Sequence, residues 1–300
     1  MFTRILIPLD GSRTAEAALP YARALAESLK IPLEFLGVVD ISSAAARAVA
    51  GKARYLGTLI DEGERSNEGY LHRVAAKTAG VESRCSVERG KPADVIVRRA
   101  ADDKGVLITM ATHGRTGLSR WLLGSVAEKV LRTVDNPLLL VRGGVGVTES
   151  SQVSLKSIIV PLDGSMLAES VLPAAVAFAG CFEVELLLFR AYELPASAYY
   201  GKEDHLPDYE AMKDKIREGA QQYLDAKAQA LKARGFTRVR TALAEGPGAQ
   251  EVIRIAREHA DSMVAMCTHG RSGVKRWLIG SVTEKVVRHS ENPVLVIRGA

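Results

Sequence analysis

Two kinds of hydrophobic pattern alternate along this chain. Short, nearly continuous apolar runs are followed by longer stretches whose apolar positions recur every three or four residues. Arg4 to Leu9 is such a run, with no polar alternation, and suits a strand covered on both faces. Asp10-Gly11-Ser12 breaks it, and Ala15 to Leu29 then carries helical spacing through Ala18, Leu19, Ala22, Leu25, Ala26 and Leu29. The pattern continues with a strand from Leu33 to Val39, a variable stretch and a helix from Leu56 to Thr78. An alternating outer strand follows over Val81 to Glu88, then a helix over Pro92 to Ala101 and a strand over Gly105 to Ala111. A glycine-bearing loop leads to a helix over Ser125 to Thr133 and a last strand over Pro137 to Val141. Strands alternating with helices imply βαβ units and an α/β fold with a mostly parallel, doubly wound sheet.

The whole order then repeats. Residues 112–143, THGRTGLSRWLLGSVAEKVLRTVDNPLLLVRG, return at 268–299 as THGRSGVKRWLIGSVTEKVVRHSENPVLVIRG, and RILIPLDGS returns as SIIVPLDGS. A repeat of this size is a domain, not a solenoid unit. The reading is a domain over 1–143, a Gly/Ser-rich linker over 144–156 and a second domain over 157–300. In the second half the strands are placed at 157–162, 183–189, 237–244, 262–267 and 293–297. The helices are placed at 166–179, 208–234 and 248–259, with Glu193 to Pro207 as a loop.

Composition removes several classes of function. Hydrophobic residues make up 47% and charged residues 25%, ordinary values for a globular protein. The net charge of +5 is spread along the chain without a basic stripe, so nucleic acid is not the expected partner. The chain opens directly on a strand and has no run of about 20 apolar residues, which argues against a membrane role and for a cytoplasmic protein. Cys85, Cys181 and Cys267 are isolated and form no C-x-x-C pair, so neither a disulfide framework nor a zinc site is expected.

In an open parallel sheet, ligands sit beyond the carboxyl ends of the strands. Asp10-Gly11-Ser12, Val38-Val39-Asp40 and the loop from Ala111 to Ser125 all fall there. Gly114 and Gly117 allow backbone N–H groups to turn toward an anion, Arg115 adds a forked cation, and Gly124-Ser125 opens a helix. The loop is neither a Walker A motif nor a G-x-G-x-x-G fingerprint. A plainer alternative stands beside phosphate binding. Ser125 and Glu128, like Ser281 and Glu284, have capping-box spacing, which satisfies a helix start with no ligand. Asp10 likewise can serve simply to cap the turn after its strand.

These residues resemble the universal stress protein family in its tandem two-domain form, over nearly the whole chain. The family's nucleotide motif reads G-x2-G-x9-G-S/T. Gly114, Gly124 and Ser125 match it in the first half, and Gly270, Gly280 and Ser281 in the second. The resemblance implies flavodoxin-like domains with strand order 3-2-1-4-5 that bind ATP or a related adenine nucleotide, with Mg²⁺ accompanying the phosphates. Adenine and ribose would lie near Pro8, Leu9, Asp10 and Val38. The phosphates would be held by Ala111, His113, Gly114, Arg115, Thr116 and Gly117, and by Ser125 and Val126. The matching positions of the second half are Pro161, Asp163, Ala191, Cys267, Gly270, Arg271, Gly280, Ser281 and Val282.

The implied role is a sensor or regulator in stress adaptation, acting on an unidentified protein partner. A nucleotide-free interaction module and a weak ATPase are the alternatives, and no residue set argues for turnover. Two departures from the motif bear on the second half. Cys267 replaces a glycine that is Ala111 in the first half, and its bulk is expected to crowd the loop. Arg190 and Tyr192 flank Ala191 and are expected to alter the pocket. The first half is therefore expected to bind ATP better. The apolar last strands are expected to pair within the chain, mimicking a dimer of single domains and leaving room for a homodimer.

Overall fold

The computed structural model describes residues 2–41, 56–78, 80–112, 123–143, 153–194, 209–268 and 279–299. The described residues fall into two compact units, one running to Ser154 and one beginning at Leu155. The expected linker lies outside the described residues from 144 to 152.

The first unit contains β1 (Arg4–Leu9), α1 (Arg13–Glu16), α2 (Leu19–Leu29), β2 (Leu33–Val39), α3 (Leu56–Ala76), β3 (Ser83–Arg89), α4 (Pro92–Ala101), β4 (Val106–Ala111), α5 (Ser125–Thr133) and β5 (Leu138–Val141). Its strands pair in parallel in the order β3-β2-β1-β4-β5. The second unit repeats this with β6 (Ser157–Pro161), α6 (Met166–Glu169), α7 (Leu172–Cys181), β7 (Glu185–Tyr192), α8 (Tyr209–Ala233), β8 (Val239–Glu245), α9 (Gly248–Glu258), β9 (Ser262–Cys267), α10 (Ser281–His289) and β10 (Val294–Ile297). Its order is β8-β7-β6-β9-β10, again parallel.

The central strands are continuous apolar runs because both faces are covered. Every residue of β4 and of β9 is buried. Each aliphatic side chain so enclosed contributes on the order of 1.5–3 kcal/mol. Right-handed crossovers set α1, α2 and α3 on one face and α4 and α5 on the other. The outer strand β3 is only half-buried, as its alternation predicts.

The helix expected from Ala15 to Leu29 is two helices. Pro20 lies in the first turn of α2, lacks the N–H that would bond the carbonyl of Glu16, and so forces a break after α1. Pro173 does the same between α6 and α7. The register pairs Leu6 with Glu34 and Ile159 with Leu187, which fixes the residue equivalence between the units.

Candidate functional site

The turn after β1 is built by its own three residues. Gly11 adopts φ 80°, a left-handed conformation that costs a side-chain-bearing residue energy. The backbone N–H of Ser12 donates to Asp10 Oδ1 at 3.0 Å, and its hydroxyl donates to the same oxygen at 2.6 Å. Ser12 Oγ in turn accepts the N–H of Ala15 at 3.1 Å and so caps α1. Asp163, Gly164 (φ 91°) and Ser165 repeat every contact, at 2.9, 2.6 and 3.1 Å. The structural role foreseen for Asp10 is therefore present, and it fixes the carboxylate at the rim of a cavity.

That cavity, of about 440 Å³, lies beyond the carboxyl ends of β1, β2 and β4. Pro8, Leu9, Asp10, Val38, Ala111, Gly124, Ser125 and Val126, all singled out in the sequence, line it together. The equivalent cavity of the second unit, about 290 Å³, is lined by Pro161, Asp163, Ala191, Cys267, Gly280, Ser281 and Val282 among others. His113, Gly114, Arg115, Thr116, Gly117, Gly270 and Arg271 lie outside the described residues.

The helix starts differ from the capping-box expectation. Gly124, in extended conformation, is the N-cap of α5, and no side chain caps the helix. Ser125 is consequently the first helical residue, and Glu128 stands one position too late for a capping box. The Glu128 side chain instead accepts from Arg132 Nε at 3.3 Å, while its backbone N–H bonds to Gly124 O at 2.8 Å. The N–H groups of Ser125, Val126 and Ala127 have no acceptor within the helix, and all three residues line the cavity. α10 has the same start, with Gly280 as N-cap and Glu284 bonded to Arg288. Each helix start is also tied to the preceding strand. The Gly124 N–H donates to Thr112 O at 2.8 Å and the Gly280 N–H to Thr268 O at 2.6 Å.

Strand alternation corrects the expectation that Arg190 and Tyr192 alter the second pocket. Phe189 and Ala191 face the cavity, so Arg190 and Tyr192 face the opposite side of the sheet. The Arg190 guanidinium stacks 4.8 Å over the ring of Tyr223 on α8. Tyr223 donates its hydroxyl to Glu169 Oε1 at 2.9 Å, and Lys227 holds the other oxygen at 2.6 Å. Burial first, and the bond to Glu169 second, push the Tyr223 phenol well above the usual tyrosine range. In the first unit Gly37 takes the place of Arg190, and a Cβ there would meet Asn67 Oδ1 at 3.2 Å. The second unit has Ala220 in place of that asparagine, which makes room for the arginine.

Cys267 lines the cavity at the end of β9, one position after the cavity-facing Met266. Its Sγ lies 3.3 Å from Ser170 Oγ, just past α6, and beside Gly299. The loop that this side chain was expected to crowd lies outside the described residues.

The walls contain residues that motif reading misses. Leu36, Pro92, Ile96 and Met110 also line the first cavity, beside the expected Asp40, and Phe189, Gly248, Val252 and Met266 also line the second. Leu36 and Met110 share the face of Val38 and Pro8 by period-two alternation, which is a readable signal. Pro92 and Ile96 are one turn apart at the start of α4, and only the fold brings them over the sheet. Where the first cavity has Leu36, the second has the larger Phe189, while Ala191, Val252 and Gly248 stand in place of the bulkier Val38, Ile96 and Pro92. Among the described residues no cluster of His, Cys, Asp or Glu could hold a metal ion, and no helix is long and apolar enough to cross a membrane.

Comparison with known proteins agrees with this architecture. The universal stress protein family model matches residues 1–142 and again 154–298. A universal stress protein of Methanocaldococcus jannaschii is 33% identical over 142 residues, covering 47% of this chain and 83% of the relative. One from Mycobacterium tuberculosis is 24% identical over 306 residues, covering 98% of this chain and 96% of its own. The crystal structure of a universal stress protein from Archaeoglobus fulgidus superposes with a TM-score of 0.71 at 21% identity, covering 98% of both chains. With the family pattern matched once in each doubly wound unit, this chain belongs to the universal stress protein family.

Proposed function

We propose that each half of the chain binds ATP or a related adenine nucleotide, and that the protein acts as a sensor or regulator in stress adaptation. One observation carries the reading. In both halves a helix N-terminus without a side-chain cap opens onto a cavity at the carboxyl ends of a parallel sheet. Such a terminus favours an anion through its free N–H groups and its dipole. The rest of the donor set suits a nucleotide. Leu36, Val38, Ile96 and Met110 offer an apolar wall for a base, while the N–H groups and hydroxyl at Ser125 would hold phosphate. Mg²⁺ would arrive with the phosphates and neutralise part of their charge.

The first half is the tighter site in this reading. Its cavity of about 440 Å³ falls within the roughly 300–1,000 Å³ usual for small-molecule sites, and the second, at about 290 Å³, sits at the lower edge.

Denaturing the purified protein and identifying released nucleotide by chromatography and mass spectrometry tests the reading, together with calorimetric titration of the stripped protein with Mg-ATP. Gly124→Asp and Gly280→Asp each place a carboxylate where phosphate would sit, and aspartate is a good N-cap, so the helix is retained. The expected result is a larger loss of binding from Gly124→Asp than from Gly280→Asp. Equal losses would remove the ranking. No released nucleotide and no heat of binding would remove the reading itself.

A further inference from the structure

The first cavity is electrically polar from end to end. One end is the N-terminus of α5, which carries partial positive charge. The other holds two carboxylates, Asp10 closing β1 and Asp40 following β2. The order β2-β1-β4 sets these groups in a row, with β2 two strand spacings, about 10 Å, from the strand that leads into α5. Any ligand whose phosphates meet the helix must therefore point its uncharged end toward the carboxylates.

The two carboxylates are not equivalent. Asp10 Oδ1 already takes two hydrogen bonds from Ser12 and holds the turn together. Asp40 shares the alternation of Leu36 and Val38, is half-buried and lines the cavity. An ionised carboxylate only accepts hydrogen bonds, so it recognises O–H or N–H donors and repels phosphate.

Building on the nucleotide reading above, we infer that Asp40 accepts the 2′- and 3′-hydroxyls of the sugar and makes the first site select ribonucleotides over 2′-deoxyribonucleotides. The second half is built otherwise. Glu193 takes the place of Asp40, is exposed, and is not one of the residues lining the second cavity. The second site does not discriminate by this means.

The test uses the full chain carrying Gly280→Asp, so that the first site is read alone. ATP, 2′-deoxy-ATP and ITP are titrated calorimetrically into this parent and into its Asp40→Ala and Asp40→Asn derivatives. The parent is expected to prefer ATP over 2′-deoxy-ATP by about tenfold or more, the scale of one charge-assisted hydrogen bond. Asp40→Ala brings the ratio to near one, Asp40→Asn to an intermediate value, and the ATP to ITP ratio stays unchanged in both. Should the alanine variant unfold, the asparagine variant reads the same ratio. Equal binding of ATP and 2′-deoxy-ATP by the parent overturns the inference while leaving nucleotide binding intact. So does a ratio that survives both substitutions. A collapse of the ATP to ITP ratio instead would assign the carboxylate to the base amino group. A parent that binds none of the three overturns both readings together.

Discussion

The two halves build the same sheet over different chemistry beneath its second strand. In the first, Glu34 is buried near the start of β2 and is held by Arg4 Nε at 2.9 Å and Arg99 Nε at 2.5 Å. In the second, the same three positions are Leu187, Ser157 and Ile255, all buried. An ion triad and an apolar cluster thus support one architecture. The contrast teaches that the charges are not what specifies the fold. A buried ion pair often contributes no more than well-packed apolar residues in its place, yet breaking it from one side is costly.

The largest expected effect follows from that asymmetry. Arg4→Ser with Arg99→Ile leaves Glu34 buried without its two cations. The cost should be about 3 kcal/mol, the low end of the usual range, because Arg99 is 42% exposed and water reaches the site. Adding Glu34→Leu completes the residue set of the second half and should restore stability to within about 1 kcal/mol of the parent. Urea unfolding of the three proteins checks this. A triple variant as weak as the double would mean that the first half depends on its charges.

A second difference lies where the last strand of each half ends. A Cβ on Gly143 would collide with Thr14 Cγ2 and come within 3.4 Å of the Thr14 backbone. A Cβ on Gly299 would meet Leu167 Cδ2 at 2.6 Å and Cys267 Sγ at 3.1 Å. Threonine is β-branched and stiff, whereas the end of a leucine can change rotamer. Gly143→Ala should therefore cost about 2–3 kcal/mol and Gly299→Ala about 1 kcal/mol, within the range for overpacking. Thermal melting of the two variants ranks them, and the reverse order would break the argument from side-chain stiffness.

The two cavities differ in wall residues that can be exchanged between the halves. Phe189→Leu, Ala191→Val and Val252→Ile carry three first-half wall residues into the second half. On a Gly124→Asp background, Mg-ATP affinity should rise by about tenfold, or about 1.4 kcal/mol. Unchanged affinity would mean that cavity shape does not set the ranking of the sites.

The strand–helix order, the turns after β1 and β6 and the glycine–serine starts of α5 and α10 are legible in the sequence. Each depends on local signals, namely apolar runs, an Asp-Gly-Ser turn and a repeated motif. The side on which Arg190 and Tyr192 fall is harder to read. Alternation is visible along each strand, but which parity faces the cavity depends on where α9 and α10 cross the sheet, a property of the whole fold. The helix cap failed as a reading for a different reason. Ser-x-x-Glu spacing matches a capping box, yet the extended backbone of Gly124 starts the helix one residue early and shifts every position by one. Pro92 and Ile96 carry no local mark of a site, because α4 reaches the cavity only after its crossover.

The smallest effects come from a reciprocal exchange of threonine and alanine. Thr109 in β4 is fully buried, its hydroxyl has no hydrogen-bond partner among the described residues, and the second half has Ala265 there. Thr283 on α10 is also buried, but its hydroxyl donates to Cys267 O at 2.8 Å, and the first half has Ala127 there. The same change should therefore act with opposite sign. Thr109→Val removes a buried polar group that gains nothing and should stabilise by about 1 kcal/mol, since an unsatisfied hydroxyl carries its full desolvation penalty. Thr283→Val removes a made bond and should destabilise by about 1 kcal/mol. Both keep the side-chain shape, so packing drops out of the difference and the urea midpoints report the hydroxyl alone. Two shifts of the same sign would mean that strand or helix propensity, and not hydrogen bonding, governs these positions.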